Sequence, residues 1–210
     1  MALYHFSVRN VSRGKGQMVV ASAAYISGQR IFDSYYNKIH DYTSKSGVIF
    51  TEILTPEYVP ERLTDRETLW NEVEHVERNN KAQLAYSFDI ALQNELTLEE
   101  NIRLAKEFCQ EQFVARGMIV DLAVHEGKSD NEEEPDNPHF HVLVPIRPFT
   151  EEGIWGNKQR REYILDEDGN RVKDAKGKDM FNAVSTTGWN DPELLKAVSY
   201  THLRAHETTL

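Results

Sequence analysis

The sequence predicts an α+β fold, with helices packed on an antiparallel sheet, from three observations. Four segments alternate apolar and polar residues with the period of a half-buried strand: Leu3–Val8, Leu84–Leu92, Val120–His125 and His139–Val144. Two capping boxes, "TDRE" at Thr64–Glu67 and "TLEE" at Thr97–Glu100, open helical stripes between them. The last two alternating segments are joined by the polar stretch "GKSDNEEEPDN", and strands joined in this way pair most easily as antiparallel neighbours. No internal repeats appear, and strands and helices mixed in this order give the α+β class.

Each element has its own pattern. In the first segment Tyr4, Phe6 and Val8 form the apolar face, and "NVSRGKGQ" then reads as a glycine-rich basic loop. A helix is predicted over about Met18–Ser27, with Val19, Ala23 and Ile26 on one side and Gly28 as its stop. Ile31–Leu54 is aromatic, polar and irregular. The first capping box starts a helix reaching about Arg78, striped by Leu69, Val73 and Val76. "QLAYSFDIAL" turns Leu84, Tyr86, Phe88, Ile90 and Leu92 inward and leaves Ser87 and Asp89 opposite. The second box starts a helix with Leu98, Ile102, Ala105, Cys109 and Phe113 inward, ending near Gly117. "MIVDLAVHE" places Val120, Leu122 and Val124 on one face and Asp121, Ala123 and His125 on the other. Beyond Pro148 the pattern weakens: "EYILDEDGNRVKDAKGKDMF" reads as a hairpin turning at "EDGN", and "STTGWNDPELLKA" begins another helix.

Bulk properties narrow the function classes. No apolar run approaches the ~18 residues of a membrane span, and "MALYHFSVRN" lacks the layout of a signal peptide. The single cysteine, Cys109, cannot form an internal disulfide, so a reducing cytoplasm is expected. The net charge of −10 argues against nucleic-acid binding, which needs local positive charge. Its distribution tempers that argument. Met1–Phe32 holds no acid but carries Arg9, Arg13, Lys15 and Arg30. A second basic region runs from Arg147 in "PIRP" to Lys158, Arg160 and Arg161 in "NKQRR". Solvated surface is the ordinary reading of both clusters; Arg13, Lys15, Arg147, Lys158, Arg160 and Arg161 are the candidates for phosphate contact.

The chemistry lies in "DNPHFHVLVPIRP", Asp136–Pro148. Phe140, Val142 and Val144 alternate toward a core, while the opposite face begins with His139 and His141. Residues two apart on a strand share a face at roughly 6.5–7 Å between Cα atoms, close enough to hold one ion. If the neighbouring strand pairs as expected, His125 arrives beside them. Three neutral imidazoles with an open coordination position suit a catalytic metal rather than a structural one. A lone histidine in any of these places would ordinarily be a hydrogen-bonded surface or core residue. Asp89 is placed to orient a ligand histidine from behind. A His₃ site of this kind could equally hold zinc and activate water for hydrolysis. Tyr25 lies on the helix after the basic loop, among the small residues of "SAAYISG", where a packing role would be ordinary.

Five stretches taken together resemble the MobA/MobL family of plasmid mobilisation relaxases, members of the HUH class of single-strand DNA endonucleases. They are "YHFSVRNVSRGKGQMVVASAAYISG", "HDYTSKSGV", "ETLWNEVEHVERNNKAQLAYSFDIAL", "NPHFHVLVPIRP" and "GWND", in order over about residues 1–197. The resemblance implies a central antiparallel sheet of about five strands flanked by helices. It also implies that Tyr25 is the nucleophile, that His125, His139 and His141 hold Mn²⁺ or Mg²⁺, and that Asp89 is a supporting acid. Ser87 stands where the family more often has a further acid. The implied reaction is site- and strand-specific nicking and rejoining at a transfer origin through a 5′-phosphotyrosine adduct. The implied partners are single-stranded DNA, accessory mobilisation proteins and a coupling protein.

A rolling-circle replication initiator or a transposase of the same class would use the same ligands and tyrosine on a different origin, and a non-catalytic fragment that only binds single-stranded DNA is the non-enzymatic alternative. Placement of Tyr25 ahead of the histidines favours the relaxase order. The tail "VSYTHLRAHETTL", Val198–Leu210, lacks a helical stripe and resembles translated sequencing-adapter DNA. It is expected to be non-native, following a relaxase domain of residues 1–197 truncated at its C-terminus, and its His202 and His206 are set aside.

Overall fold

Alternation of apolar and polar side chains builds the sheet first. The computed structural model describes residues 5–128, 136–189, 191 and 193. In chain order the elements are β1 (Phe6–Ser12), α1 (Val19–Ser27), β2 (Arg30–Asp33), β3 (Lys38–Asp41), β4 (Val48–Leu54), α2 (Arg66–Val76), β5 (Gln83–Ala91), α3 (Leu98–Gln112), β6 (Val120–His125), β7 (His139–Pro145), β8 (Gln159–Tyr163) and β9 (Phe181–Ser185). Five strands form one sheet in the order β1-β5-β7-β6-β4, and every neighbouring pair is antiparallel. The expected pairing of β6 with β7 is present, with His125 opposite His139.

Both faces of this sheet are covered. Tyr86, Phe88, Ile90, Leu122, Val124, Phe140 and Val142 pack with Ala105, Phe108 and Cys109 of α3. On the other face Ala85, Ala123 and Leu143 pack with Val20, Ala23 and Ala24 of α1 and with Leu69, Trp70 and Val73 of α2. A buried ion pair crosses this second layer: Arg66 donates to Asp121 at 2.8–3.0 Å, and Trp70 Nε1 donates to the same carboxylate at 2.7 Å.

The α3 capping box forms as expected, with Thr97 and Glu100 exchanging side-chain and backbone bonds. Several expectations are corrected. β1 runs on to Ser12, so "NVS" is strand, and the basic turn begins at Arg13. The Ile31–Leu54 stretch holds the β2–β3 hairpin and the edge strand β4. Asp65, not Thr64, caps α2 by accepting the Thr68 N–H at 2.8 Å. Thr64 instead closes the preceding 3₁₀ turn by donating to the Glu61 carbonyl. Leu98 points outward, about half exposed. A turn does form at Asp166–Gly169, flanked by the single Leu165–Arg171 bridge, but a second turn at Asp174–Gly177, flanked by the Lys173–Asp179 bridge, follows before β9 pairs with β8. The helix expected at "DPELLKA", apart from positions 191 and 193, lies outside the described residues, as does all of 198–210.

Candidate metal centre and tyrosine

Register brings the histidines together. His139 lies opposite His125, and His141, two residues further along β7, sits between Asp89 of β5 and Ala123 of β6. The small Ala123 leaves the space above it to the imidazoles. Ring centroids are 4.6 Å apart for His125 and His141, 5.0 Å for His139 and His141, and 5.2 Å for His125 and His139. One ligand nitrogen from each lies within 4.8 Å of the others.

Two tautomers are set by backbone carbonyls. His125 Nε2 is 2.7 Å from the Ile26 carbonyl, and His139 Nδ1 is 2.8 Å from the Asn137 carbonyl. A carbonyl only accepts, so those nitrogens carry the protons. Nδ1 of His125 and Nε2 of His139 therefore keep lone pairs for a metal. The backing role expected of Asp89 falls, for these two histidines, to the main chain. Burial keeps the rings neutral: it pushes His125 down to about 4 and His141 down to about 3, helped by the positive charge of Lys45. Three imidazoles whose ligand nitrogens lie this close together fit a divalent ion.

Tyr25, in the last turn of α1, is half exposed. It lines one pocket with Asp89, His125, His139, His141 and Lys45. Gly28 makes this placement possible: it caps α1 at φ 64°, and a Cβ there would come within 3.2 Å of Val48, opposite His125 on β4. A second glycine closes the other side. Gly127, at φ 60°, lies so near Asn137 that a Cβ would stand 1.9 Å from the Asn137 oxygen. A larger concavity of about 930 Å³ runs along the outer face of α3, but the residues lining it belong to one charged helix surface and lie away from the histidines.

The basic candidates are placed less favourably. Arg13 is buried, pairing with Glu74 at 3.0 Å and donating to the Glu74, Glu77 and Asn79 carbonyls. Its guanidinium is consumed inside the fold and is withdrawn as a phosphate contact. Arg147 and Lys158 share the Glu77 carboxylate at 2.7 and 2.9 Å. Lys15, Arg160 and Arg161 are exposed, with Arg160 paired to Glu162 and Arg161 over the Phe181 ring. Arg147 and Lys158 lie at the Gln83–Pro145 end of the sheet, six residues of β5 from Asp89, or roughly 20 Å. They do not flank the histidines. Instead Arg9, opposite Ser87 on β5, lines the cleft of Tyr25, Asp89 and His141. Arg9 and Lys45 line the site though periodicity did not single them out, as does Lys128, which pairs with Glu126 at 2.8 Å. The signal for Arg9 was its place in an acid-free N-terminal segment, and for Lys45 its place in "HDYTSKSGV".

A sequence profile of the MobA/MobL family matches residues 17–208. The chain is 35% identical over 202 residues to the conjugal transfer protein TraA of Agrobacterium fabrum, covering 90% of this chain and 18% of that protein. It is 36% identical over 174 residues to a probable mobilization protein MobA of Bifidobacterium longum, covering 82% of this chain and 30% of that one. The chain thus spans less than a third of either relative's length. A solved structure titled "Molecular Basis of Vancomycin Resistance Transfer in Staphylococcus aureus" superposes with a TM-score of 0.75 at 32% identity, over 98% of this chain and 94% of its own. Among the described residues, no helix is long and apolar enough to cross a membrane.

Proposed function

This chain belongs to the MobA/MobL family, and from that premise we propose that it nicks and rejoins one DNA strand at a transfer origin through a covalent tyrosine intermediate. The observation carrying the proposal is the shared pocket of Tyr25, Asp89, His125, His139 and His141, drawn from four separate elements. Relatives named for conjugal transfer and mobilisation support the same reading.

His125, His139 and His141 would hold the metal, and imidazole donors favour Mn²⁺ over the harder Mg²⁺. When bound, such a cation supplies charge neutralisation at the non-bridging oxygens of the scissile phosphate. Tyr25 supplies the attacking oxygen: the Oη–P bond forms, the P–O3′ bond breaks, and the DNA is left as a 5′-phosphotyrosine. Asp89, in the same pocket, takes the phenol proton. One phosphodiester replaces another, so the reverse reaction can reseal the strand. Arg9 is positioned to meet the phosphate backbone beside the break. Lys15, Arg147, Lys158, Arg160 and Arg161 would contact the strand away from it. Residues 1–197 would carry this activity, with accessory mobilisation proteins and a coupling protein as partners in a cytoplasmic complex.

Incubating the protein with single-stranded DNA and Mn²⁺, followed by denaturing electrophoresis, tests the proposal. A protein–DNA adduct is expected from the wild-type chain and none from Tyr25→Phe, with DNA binding preserved. An undiminished adduct in Tyr25→Phe would move the nucleophile elsewhere.

A further inference from the structure

Lys45 occupies an unusual position. Its Nζ stands 3.8 Å from the centroid of the Tyr25 ring and donates to the Tyr25 carbonyl at 3.0 Å. Tyr42 packs edge-on against the same ring, with centroids 5.4 Å apart and planes at 87°. The half-exposed Tyr25 side chain is thus held on two sides. The loop carrying Lys45 is itself anchored, through the Lys45 N–H to the Tyr42 carbonyl and the Glu126 N–H to the Gly47 carbonyl. Gly47 leads directly into β4 at Val48, opposite His125.

The ammonium is half-buried and makes no ion pair with a carboxylate among the described residues. Burial lowers its pKa from the ordinary value. A lysine retained in such a place ordinarily has a charge partner. An ammonium has three donors, and only one is met by the Tyr25 carbonyl. Lys45 also lines the pocket that holds Asp89 and the three histidines. The charge complement fitting that space is an anion arriving between Tyr25 and the histidines.

We propose that Lys45 is a further protein-borne determinant of the strand-transfer reaction: it fixes the Tyr25 ring and donates to the scissile phosphodiester. This inference rests on the nicking reading and adds a substrate contact to it. During transfer the Oη–P bond forms and the P–O3′ bond breaks. The phenol proton goes to Asp89, O3′ takes a proton from solvent water, Asp89 then releases its proton back to solvent, and Lys45 stays an ammonium throughout. Its charge favours the phosphoryl group as charge builds on the oxygens around phosphorus.

The test compares Lys45→Met and Lys45→Arg with the wild-type chain. A strand that the wild-type chain cleaves is first selected from a randomised single-stranded pool by its covalent attachment to the protein, and adduct formation is then measured at saturating concentrations of that strand with Mn²⁺. Lys45→Met should slow the single-turnover rate by about 100-fold, the scale of losing one transition-state donor. Lys45→Arg should recover most of it, and Mn²⁺ stoichiometry should stay the same in both. In a Tyr25→Phe background, affinity for an oligo-dT strand should lose about 0.7 from its slope against log salt when Lys45 becomes Met. A purely structural lysine would lower the melting temperature without changing that slope. Should Lys45→Met fail to fold, Lys45→Gln takes its place in both measurements. An unaltered rate and slope in a folded neutral variant overturns the Lys45 proposal alone. Absence of any adduct from the wild-type chain overturns the nicking reading itself.

Discussion

His125 and Ile26 are joined by a 2.7 Å hydrogen bond from the imidazole Nε2–H to the backbone carbonyl, and Ile26 adjoins Tyr25. One bond therefore ties His125 on β6, a proposed metal ligand, to the helix turn carrying the tyrosine. It also fixes which nitrogen faces the other histidines. Long-range proton–nitrogen correlation spectra of the metal-free protein should show His125 protonated at Nε2 and His139 at Nδ1. The opposite tautomer at either ring would mean that the carbonyls do not orient the site. Calorimetry should find about one Mn²⁺ per chain, as for a single three-ligand site, and none in the His139→Ala, His141→Ala double variant.

Gly127→Ala should damage the site without touching a ligand. The new methyl would sit 1.9 Å from the Asn137 oxygen, and that same oxygen accepts from His139 Nδ1. The backbone must shift, and His139 shifts with it. Mn²⁺ affinity should fall by roughly tenfold or more, the scale for losing an outer-shell partner. Titration with Mn²⁺ checks this, and wild-type affinity would show that the loop absorbs the change elsewhere.

The Arg66–Asp121 pair should be a sensitive polar contact in the fold. Asp121 is fully buried and accepts from both Arg66 and Trp70, while Arg66 also reaches Gln29, just past the end of α1. Asp121→Ala strands a buried guanidinium and should cost about 3–5 kcal/mol in urea unfolding. Replacing both partners with apolar residues of similar size should cost less, because no uncompensated charge remains.

Stability of the metal-free protein should fall as the solution is acidified. His125 and His141 titrate near 4 and 3 in the folded protein because burial disfavours their charged forms. In the unfolded chain both titrate near the ordinary 6.5. Their contribution is present above about pH 6.5 and is lost as the pH falls through the folded values, because the unfolded chain takes up protons that the folded one refuses. Each contributes a slope of up to about 1.4 kcal/mol per pH unit in that window. Urea midpoints in metal-free buffer across the window should show the decline, and His125→Gln with His141→Gln should flatten it. An equal decline in the double variant would assign the effect to other groups.

Sequence alone settled those features that depend on a residue and its near neighbours. Alternation in Leu84–Leu92, Val120–His125 and His139–Val144 determined strands and which residues face the α3 core, because a strand repeats every two residues. Thr97 and Glu100 determined the start of α3, because a capping box is complete within four residues. The three histidines were legible as types in a pattern, whereas Tyr25 was singled out only through the family resemblance. β4 was not: as a sheet edge its residues are nearly all half-buried, so no alternation marks it. Tertiary structure decided which cation meets which anion. Arg13 and Arg9 look alike in a basic segment, yet Arg13 turns into Glu74 while Arg9, opposite Ser87, faces the cleft. Lys45 became part of the site only when its loop folded over Tyr25. Charge has no periodicity to betray its destination; its partner is chosen by packing between residues far apart in the chain.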